Sequence, residues 1–269
     1  MTTLKLRSKG DSVQLLQEIL NKAGYSLVAD GQFGKNTERA VRDFQMKHNL
    51  ISDGIVGAKT WMKLNSTAPK EIKNAQAKFL SEKDLEDLAK ELKVEVAAIK
   101  AVYEVESSGR GFLTSGKPKI LFEGHIFWNQ LKKYELNPVN FKAGNEDILY
   151  PIWTGKYYKG GEGEYDRLNK AKKIHKSAAL ESTSWGIFQI MGFHYKKVGY
   201  NTVQDYVNAM YKSERTHLIA FGKFIKSEGL VRFLKNNEWA KFAYKYNGAG
   251  YKKNDYDTKL AAAYKKYTH

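Results

Sequence analysis

Apolar residues recur at helical spacing along most of this chain, and the runs break at glycine, proline and clusters of small polar residues. The first run, about Ser12 to Ala23, carries Val13, Leu16 and Leu20 on one face. Two shorter runs, Glu38–Gln45 and Trp61–Leu64, each follow a similar loop. Asp30-Gly-Gln-Phe-Gly34-Lys-Asn-Thr37 recurs as Asp53-Gly-Ile-Val-Gly57-Ala-Lys-Thr60, with the aspartate, both glycines and the threonine all displaced by 23 positions. Each copy reads as a turn that opens a helix. Glycine supplies positive φ there, and the threonine hydroxyl stands where it can cap. Three short helices and two matched loops predict a small module over residues 1–65.

The polar stretch Asn65–Lys70, with Pro69, ends this periodicity and opens a linker over residues 66–79. Residues 80–269 predict a second domain. Ser81-Glu-Lys-Asp84 looks like a capping box with Asp in place of Glu. A helix through about Leu92 follows, and another starts near Glu95. Pro118–Phe127 begins with β-formers and reads as a strand or extended segment, whereas Asn137–Glu164 reads as loops with a small sheet. Helices return over Tyr165–Ala179, Gly186–Met191, Thr202–Ser227, Leu230–Lys235, Glu238–Tyr244 and Asp255–Tyr267. The expected fold class is mainly α, with a small β or irregular insert in the second domain.

Composition narrows the chemistry. The 269 residues are 42% hydrophobic, enough for a sizeable core in one or two domains. Cysteine is absent, which excludes disulfides, a thiolate nucleophile and a Cys-type zinc site. The six histidines show no metal-ligand spacing, so neither metal nor cofactor is expected. The net charge of +16 favours polyanions, such as anionic wall or outer-membrane polymers. No nucleic-acid motif accompanies it, and nucleic acid is not an expected partner. Met1–Gly10 lacks an apolar signal core and no stretch is long enough to span a bilayer, so residence in a cytoplasm is expected.

The sharpest chemical signal lies at the end of one helix, in Ala101-Val-Tyr-Glu-Val-Glu-Ser-Ser-Gly109. Residues two apart point about 200° from one another on an α-helix, so Glu104 and Glu106 face opposite ways. Glu104 lies four after Lys100 and can pair with it on the wet side. Glu106 follows Val102 by four and Ile99 by seven, on the apolar stripe. Ser-Ser-Gly then stops the helix, with Gly109 near the C′ position. Partial desolvation and the negative helix end should raise the Glu106 pKa, as a general acid near neutral pH requires. The alternatives are a structural ion pair with Arg110, or Glu104 as the acid.

Two other segments concentrate polar groups among apolar ones. In Ser184-Trp-Gly-Ile-Phe-Gln189-Ile-Met-Gly192, Gln189 either finds partners in the core or faces a cleft, because an unpaired buried amide costs about 1–3 kcal/mol. Tyr246-Asn247-Gly248 is a helix-closing turn whose side chains could also hydrogen-bond a sugar.

Residues 1–65 resemble the peptidoglycan-binding domain of the PG_binding_1 type. The resemblance rests on Gly10-Asp11, Val13, Leu16-Gln17, Leu20, Gly24-Tyr25, Asp30-Gly-x-Phe-Gly34, Thr37, Ala40-Val41, Phe44-Gln45, Asp53-Gly-x-x-Gly57 and Thr60-Trp61. On the first loop, Gln32, Phe33 and Thr37 are candidate wall contacts, against the alternative that they only build the fold. In the second domain, Glu-Ser, then Gly-x-x-Gln-x-Met, then Tyr-Asn-Gly is the order found in goose-type lysozymes and soluble lytic transglycosylases. Residues 80–267 are more similar still to phage N-acetylmuramidase domains, through Glu104-Val-Glu-Ser-Ser-Gly109, Gly116-x-Pro-Lys-Ile-Leu-Phe-Glu123, His125, Ser184-Trp-Gly, Gln189-Ile-Met-Gly-Phe193 and Tyr246-Asn-Gly-x-Gly-Tyr251. One departure is Gly124, where members of the family resembled more often carry Arg.

Together the two domains resemble a modular phage endolysin. The resemblance implies hydrolysis of the β-1,4 bond between N-acetylmuramic acid and N-acetylglucosamine, with Glu106 as acid and Ser184, Gln189, Tyr246 and Asn247 on the substrate. Glycosidases usually place a second carboxylate about 5–5.5 Å or 6.5–9.5 Å from the acid. Glu123 is the leading candidate by position, with Asp147, Glu162, Glu164 and Glu181 left open. The resemblance further implies bacterial peptidoglycan as partner, a monomer, and release to the wall or periplasm through a holin-type membrane protein. A lytic transglycosylase and a non-catalytic wall-binding or tail protein are the competing readings.

Overall fold

Each half of the N-terminal repeat closes on one buried glutamine. Gln17 Nε2 donates to Asp30 Oδ1, the Gln32 carbonyl and Thr37 Oγ1 at 3.0, 3.0 and 3.1 Å, while Gly31 N–H donates to Gln17 Oε1. Gln45 repeats the pattern with Asp53 Oδ1, the Ile55 carbonyl, Thr60 Oγ1 and Gly54 N–H. The repeated motif is therefore a loop clamp written twice. Thr37 spends its hydroxyl on Gln17, and the helix that contains it, Lys35–Lys47, has Gly34 at the N-cap position and no side-chain cap. The expected threonine cap is thus replaced by the clamp.

The computed structural model describes residues 3–67, 78–106, 111–113 and 115–268. The chain divides into two units, Met1–Glu82 and Lys83–His269. In the first, α1 (Asp11–Lys22), α2 (Lys35–Lys47) and α3 (Ala58–Thr67) enclose Val13, Leu16, Leu20, Phe33, Val41, Phe44, Val56, Trp61 and Leu64. Phe33, offered above as a wall contact, is 2% exposed in this core and Thr37 is 3% exposed. Both are corrected to structural residues, because apolar burial and the glutamine clamp use their side chains. Gln32 stays exposed. Most of the expected linker, residues 68–77, lies outside the described residues, and Phe79 packs on the first unit's core.

The second unit begins with α4 (Glu82–Leu92) and α5 (Val96–Glu106). Ala97, Ala98 and Ala101 are buried on α5, and such small side chains let a neighbouring backbone approach closely. The C-terminal helix α13 (Tyr256–Thr268) packs there through Leu260 and Ala263. Between them run β1 (Ile120–Phe122), α6 (Gly124–Lys133), α7 (Glu162–Ile174), α8 (Lys176–Glu181), β2 (Thr183–Trp185) and β3 (Ile190–Met191), then α9 (Val203–Met210), α10 (Glu214–Ser227), α11 (Val231–Lys235) and α12 (Trp239–Asn247). Ala178, Ala179 and Leu180 are successively buried, so α8 is covered on every side.

Several boundaries differ from expectation for local reasons. The run Tyr165–Ala179 is broken at His175, whose extended backbone ends α7 while its Nδ1 accepts from Ala178 N–H to cap α8. Ser213 caps α10 in the same way, by accepting from Thr216 N–H, and splits Thr202–Ser227. Gly186–Met191 is not helical. Positive φ at Gly186 (74°) and Gln189 (47°) folds it into the β2–β3 hairpin. The sheet is antiparallel in the order β1-β2-β3, with Leu121 opposite Ser184 and Ser184 opposite Met191. It forms from these segments and not within 137–164. That stretch is instead tied down by a buried pair, Glu164 and Arg167, at 2.8 Å. Arg167 also donates to the carbonyls of Phe122 and Asp147, and Glu164 accepts from the backbone N–H groups of Phe122, Lys159 and Gly160. Because every lone pair and proton has a partner, the pair fastens the loop to β1 without leaving an uncompensated charge.

Candidate active site

Glu104 and Glu106 part company as helical geometry requires. Glu104 is exposed and accepts from Lys266 Nζ at 2.7 Å and from the Tyr267 hydroxyl, both on α13. Its expected partner Lys100 has its ammonium 5.6 Å from the Tyr267 ring centroid. Burial alone would raise the Glu104 carboxyl, but Lys266 and Tyr267 outweigh it and hold the pKa below the ordinary value. Glu106 is pushed the other way, up to about 7. Desolvation is the main cause, and the amide of Asn247 opposes it by donating to Oε1 at 2.9 Å. The expected helix stop Ser107-Ser108-Gly109 and the alternative partner Arg110 lie outside the described residues.

Glu106 borders a cavity of about 370 Å³ lined also by Gln189, Met191, His194, Tyr246, Asn247 and Tyr256. Four separate stretches supply these groups: the end of α5, the hairpin and the turn after it, the end of α12 and the start of α13. Gly248, at φ 76°, ends α12 just after Asn247 and leaves its amide on Glu106. The Tyr246 hydroxyl donates to the Phe188 carbonyl at 3.0 Å, and its ring stacks on Phe242. Tyr246 thus both lines the cleft and holds the hairpin loop. Burial, and then the nearby Glu106 charge, keep its phenol well above its ordinary pKa.

Gln189 is exposed at the hairpin and faces the cleft, yet its amide is also satisfied locally. Ser184 Oγ donates to its Oε1 at 2.8 Å, and its Nε2 donates to the Gly186 carbonyl at 2.7 Å. A left-handed backbone at a residue other than glycine costs energy that the surrounding contacts must offset. Behind the hairpin, buried His217 donates from Nε2 to the Met210 carbonyl and accepts Ile187 N–H on Nδ1. Burial lowers its pKa to about 4, so it stays neutral in this role. A Cβ on Gly186 would stand 2.6 Å from that ring, so only glycine fits there.

Glu123 is not among the residues lining the cavity. Its Oε2 accepts from the Tyr158 hydroxyl at 2.6 Å and lies 3.3 Å from His125 Nδ1. Leu121, Ser184 and Met191 face one another across the three strands and so share one face of the sheet, the face on which Met191 meets the cleft. Side chains alternate along a strand, so Glu123, two residues after Leu121 and still extended, continues that face roughly 7 Å further on. The other acids are engaged elsewhere: Asp147 with Lys170, Glu162 with Lys117, Glu164 with Arg167 and Glu181 with Tyr134. Among the described residues no cluster of His, Asp and Glu suits a metal ion.

His194 and Tyr256 were missed by sequence reasoning. Burial, seconded by Lys197, depresses the His194 pKa to about 4, and the ring stands between Phe193 and Phe224. Tyr256 opens α13, and burial and the charge of Glu106 raise its phenol. Neither carries a local signal, because each is brought to Glu106 by packing of distant elements.

A family model described as N-acetylmuramidase matches residues 95–268, and one described as a putative peptidoglycan binding domain matches residues 9–64. The crystal structure of a Burkholderia AP3 phage endolysin is similar over 99% of both chains, with 40% identity and a TM-score of 0.70. The zinc D-Ala-D-Ala carboxypeptidase of Streptomyces albus G is 42% identical over 67 residues, 23% of this chain and 26% of that protein. An uncharacterised protein in the bpoA1 3′ region of Kitasatospora aureofaciens is 47% identical over 58 residues, 21% of this chain and 49% of that protein. The match therefore spans no more than half the length of these two curated relatives. No helix among the described residues is long and apolar enough to cross a membrane.

Proposed function

The chain belongs to the N-acetylmuramidase family, and from that premise we propose that it is a peptidoglycan hydrolase of endolysin type. It cleaves the β-1,4 bond between N-acetylmuramic acid and N-acetylglucosamine, with Glu106 as general acid. The observation that carries this reading is the Glu106 carboxyl itself, half-buried in the cleft, protonated up to about pH 7 and oriented by Asn247. Such a group can protonate the leaving glycosidic oxygen as the bond breaks. Gln189, held from behind by the buried Ser184, sets one wall of the sugar site, and Tyr246 and Asn247 the other. Neutral His194 and Tyr256 complete the lining as positioning groups.

Glu123 is read as a substrate-side carboxylate held by Tyr158 and not as the nucleophile, so an incoming water attacks the anomeric carbon and releases its proton to solvent as the leaving oxygen takes the proton of Glu106. The first unit tethers the chain to the wall, with Gln32 its remaining candidate contact. A monomer, waiting in the host cytoplasm until a holin-type protein opens the membrane, completes the reading. Lysis timed only by co-expression of such a protein would test that last step.

Mass spectrometry of peptidoglycan digested by wild type and Glu106→Gln tests the central assignment. Reducing muramic acid ends should appear with wild type and fall by at least about 10²-fold in the variant. Anhydro ends would assign the chain to the transglycosylases. Unchanged activity of the variant would remove Glu106 from the chemistry.

A further inference from the structure

Two large apolar side chains stand side by side in water on the loop that follows Tyr150. Ile152 is 78% exposed and Trp153 is 63% exposed. The loop carrying them is well anchored. The Trp153 indole N–H donates to the Tyr158 hydroxyl at 3.0 Å, and that hydroxyl donates to Glu123 at 2.6 Å. The Arg167 guanidinium lies 5.6 Å from the Tyr158 ring centroid, and its Nη2 donates to the Tyr150 hydroxyl at 3.2 Å. Tyr150 itself packs on the start of α6, where a Cβ at Gly124 would stand 2.4 Å from its ring. Only glycine at 124 leaves room for the Tyr150 ring. An exposed tryptophan costs solvation free energy, and fixing its plane as well makes sense when a flat apolar surface is presented to a ligand.

From this we infer that Trp153 and Ile152, aligned through Tyr158 and Glu123, form a distal subsite for the glycan strand of peptidoglycan. The inference rests on the proposed hydrolase reading. The direction of the sheet argues for a glycan over other apolar partners. Met191, Ser184 and Leu121 carry one face of the sheet outward from the Glu106 cleft, and Glu123 continues that face to the Tyr158–Trp153 pair. A polymer lying in the cleft and running along this face would meet the tryptophan a few sugars from the scissile bond. Sugar rings offer an apolar C–H face to an indole and hydroxyls to flanking polar groups. Here those groups are the Tyr158 hydroxyl and the Glu123 carboxylate.

The test compares Trp153→Ala, Trp153→Tyr and wild type on two substrates: polymeric peptidoglycan, and a muropeptide fragment short enough to fill only the cleft. The expected result for Trp153→Ala is a KM on the polymer raised about five- to tenfold at unchanged kcat, the scale of one aromatic stacking contact. Its kinetics on the short fragment should match wild type, and Trp153→Tyr should recover most of the loss. Wild-type behaviour of Trp153→Ala on both substrates would overturn the subsite, as would an equal loss on both. So would a selective loss of binding to anionic phospholipid vesicles with normal polymer hydrolysis. If wild type itself released no sugar ends from peptidoglycan, the hydrolase reading would fail instead, and the two failures are thereby told apart.

Discussion

At the level of single residues, two glutamates on one helix turn acquire opposite character from what surrounds them. Glu104 meets an ammonium and a phenol and is held charged; Glu106 meets apolar surface and one amide and is held protonated. Under the general-acid role proposed for Glu106, kcat/KM should fall as pH rises through about 7. The Asn247 hydrogen bond favours the carboxylate and so lowers this pKa. Asn247→Ala should therefore move the alkaline limb to higher pH while lowering the maximum rate. A pH–rate profile on a soluble muropeptide checks both effects, and an unmoved limb would dissociate it from Glu106. The separation of the two glutamates was legible from helical periodicity alone. Asn247 as partner of Glu106 was not, since 141 positions lie between them.

Among the elements, the duplicated clamp and the hairpin show how far local pattern reaches. The repeat was visible as spacing, but the glutamines that close it lie on the preceding helices and had no local signature beyond their position. Removing one leaves several buried polar groups unpaired, at about 1–3 kcal/mol each. Gln17→Ala and Gln45→Ala should each destabilise the first unit by a similar amount, read as a lowered denaturation midpoint. Hydrolysis of a short soluble fragment should stay normal, because Glu106 belongs to the other unit. The hairpin illustrates the reverse case. Its apolar run scans as a helix, and only the left-handed residues at its two ends, supported by His217 and Tyr246, turn it into the wall of the cleft.

Over the whole molecule, charge is the dominant feature. A net charge of +16 gives a long-range attraction to anionic polymers that salt screens, with a Debye length falling from about 30 Å at 0.01 M to about 8 Å at 0.15 M. Hydrolysis of intact walls rich in anionic polymer should slow over that range of ionic strength, and hydrolysis of an uncharged glycan fragment should not. Turbidity clearing for the walls and reducing-end release for the fragment provide the comparison. Equal salt sensitivity on both substrates would assign the effect to the cleft instead of the overall field.

What the sequence by itself determined is whatever depends on short-range geometry: helical faces, the repeated turns, the side of α5 on which Glu106 lies, and the exclusion of thiol chemistry. Those follow from periodicity and residue type, which act over a few positions. Tertiary structure alone decided that Phe33 and Thr37 are internal, that Glu123 accepts from Tyr158, and that His194 and Tyr256 stand beside the acid. Each of these depends on which distant elements share buried surface, and chain spacing carries no record of that.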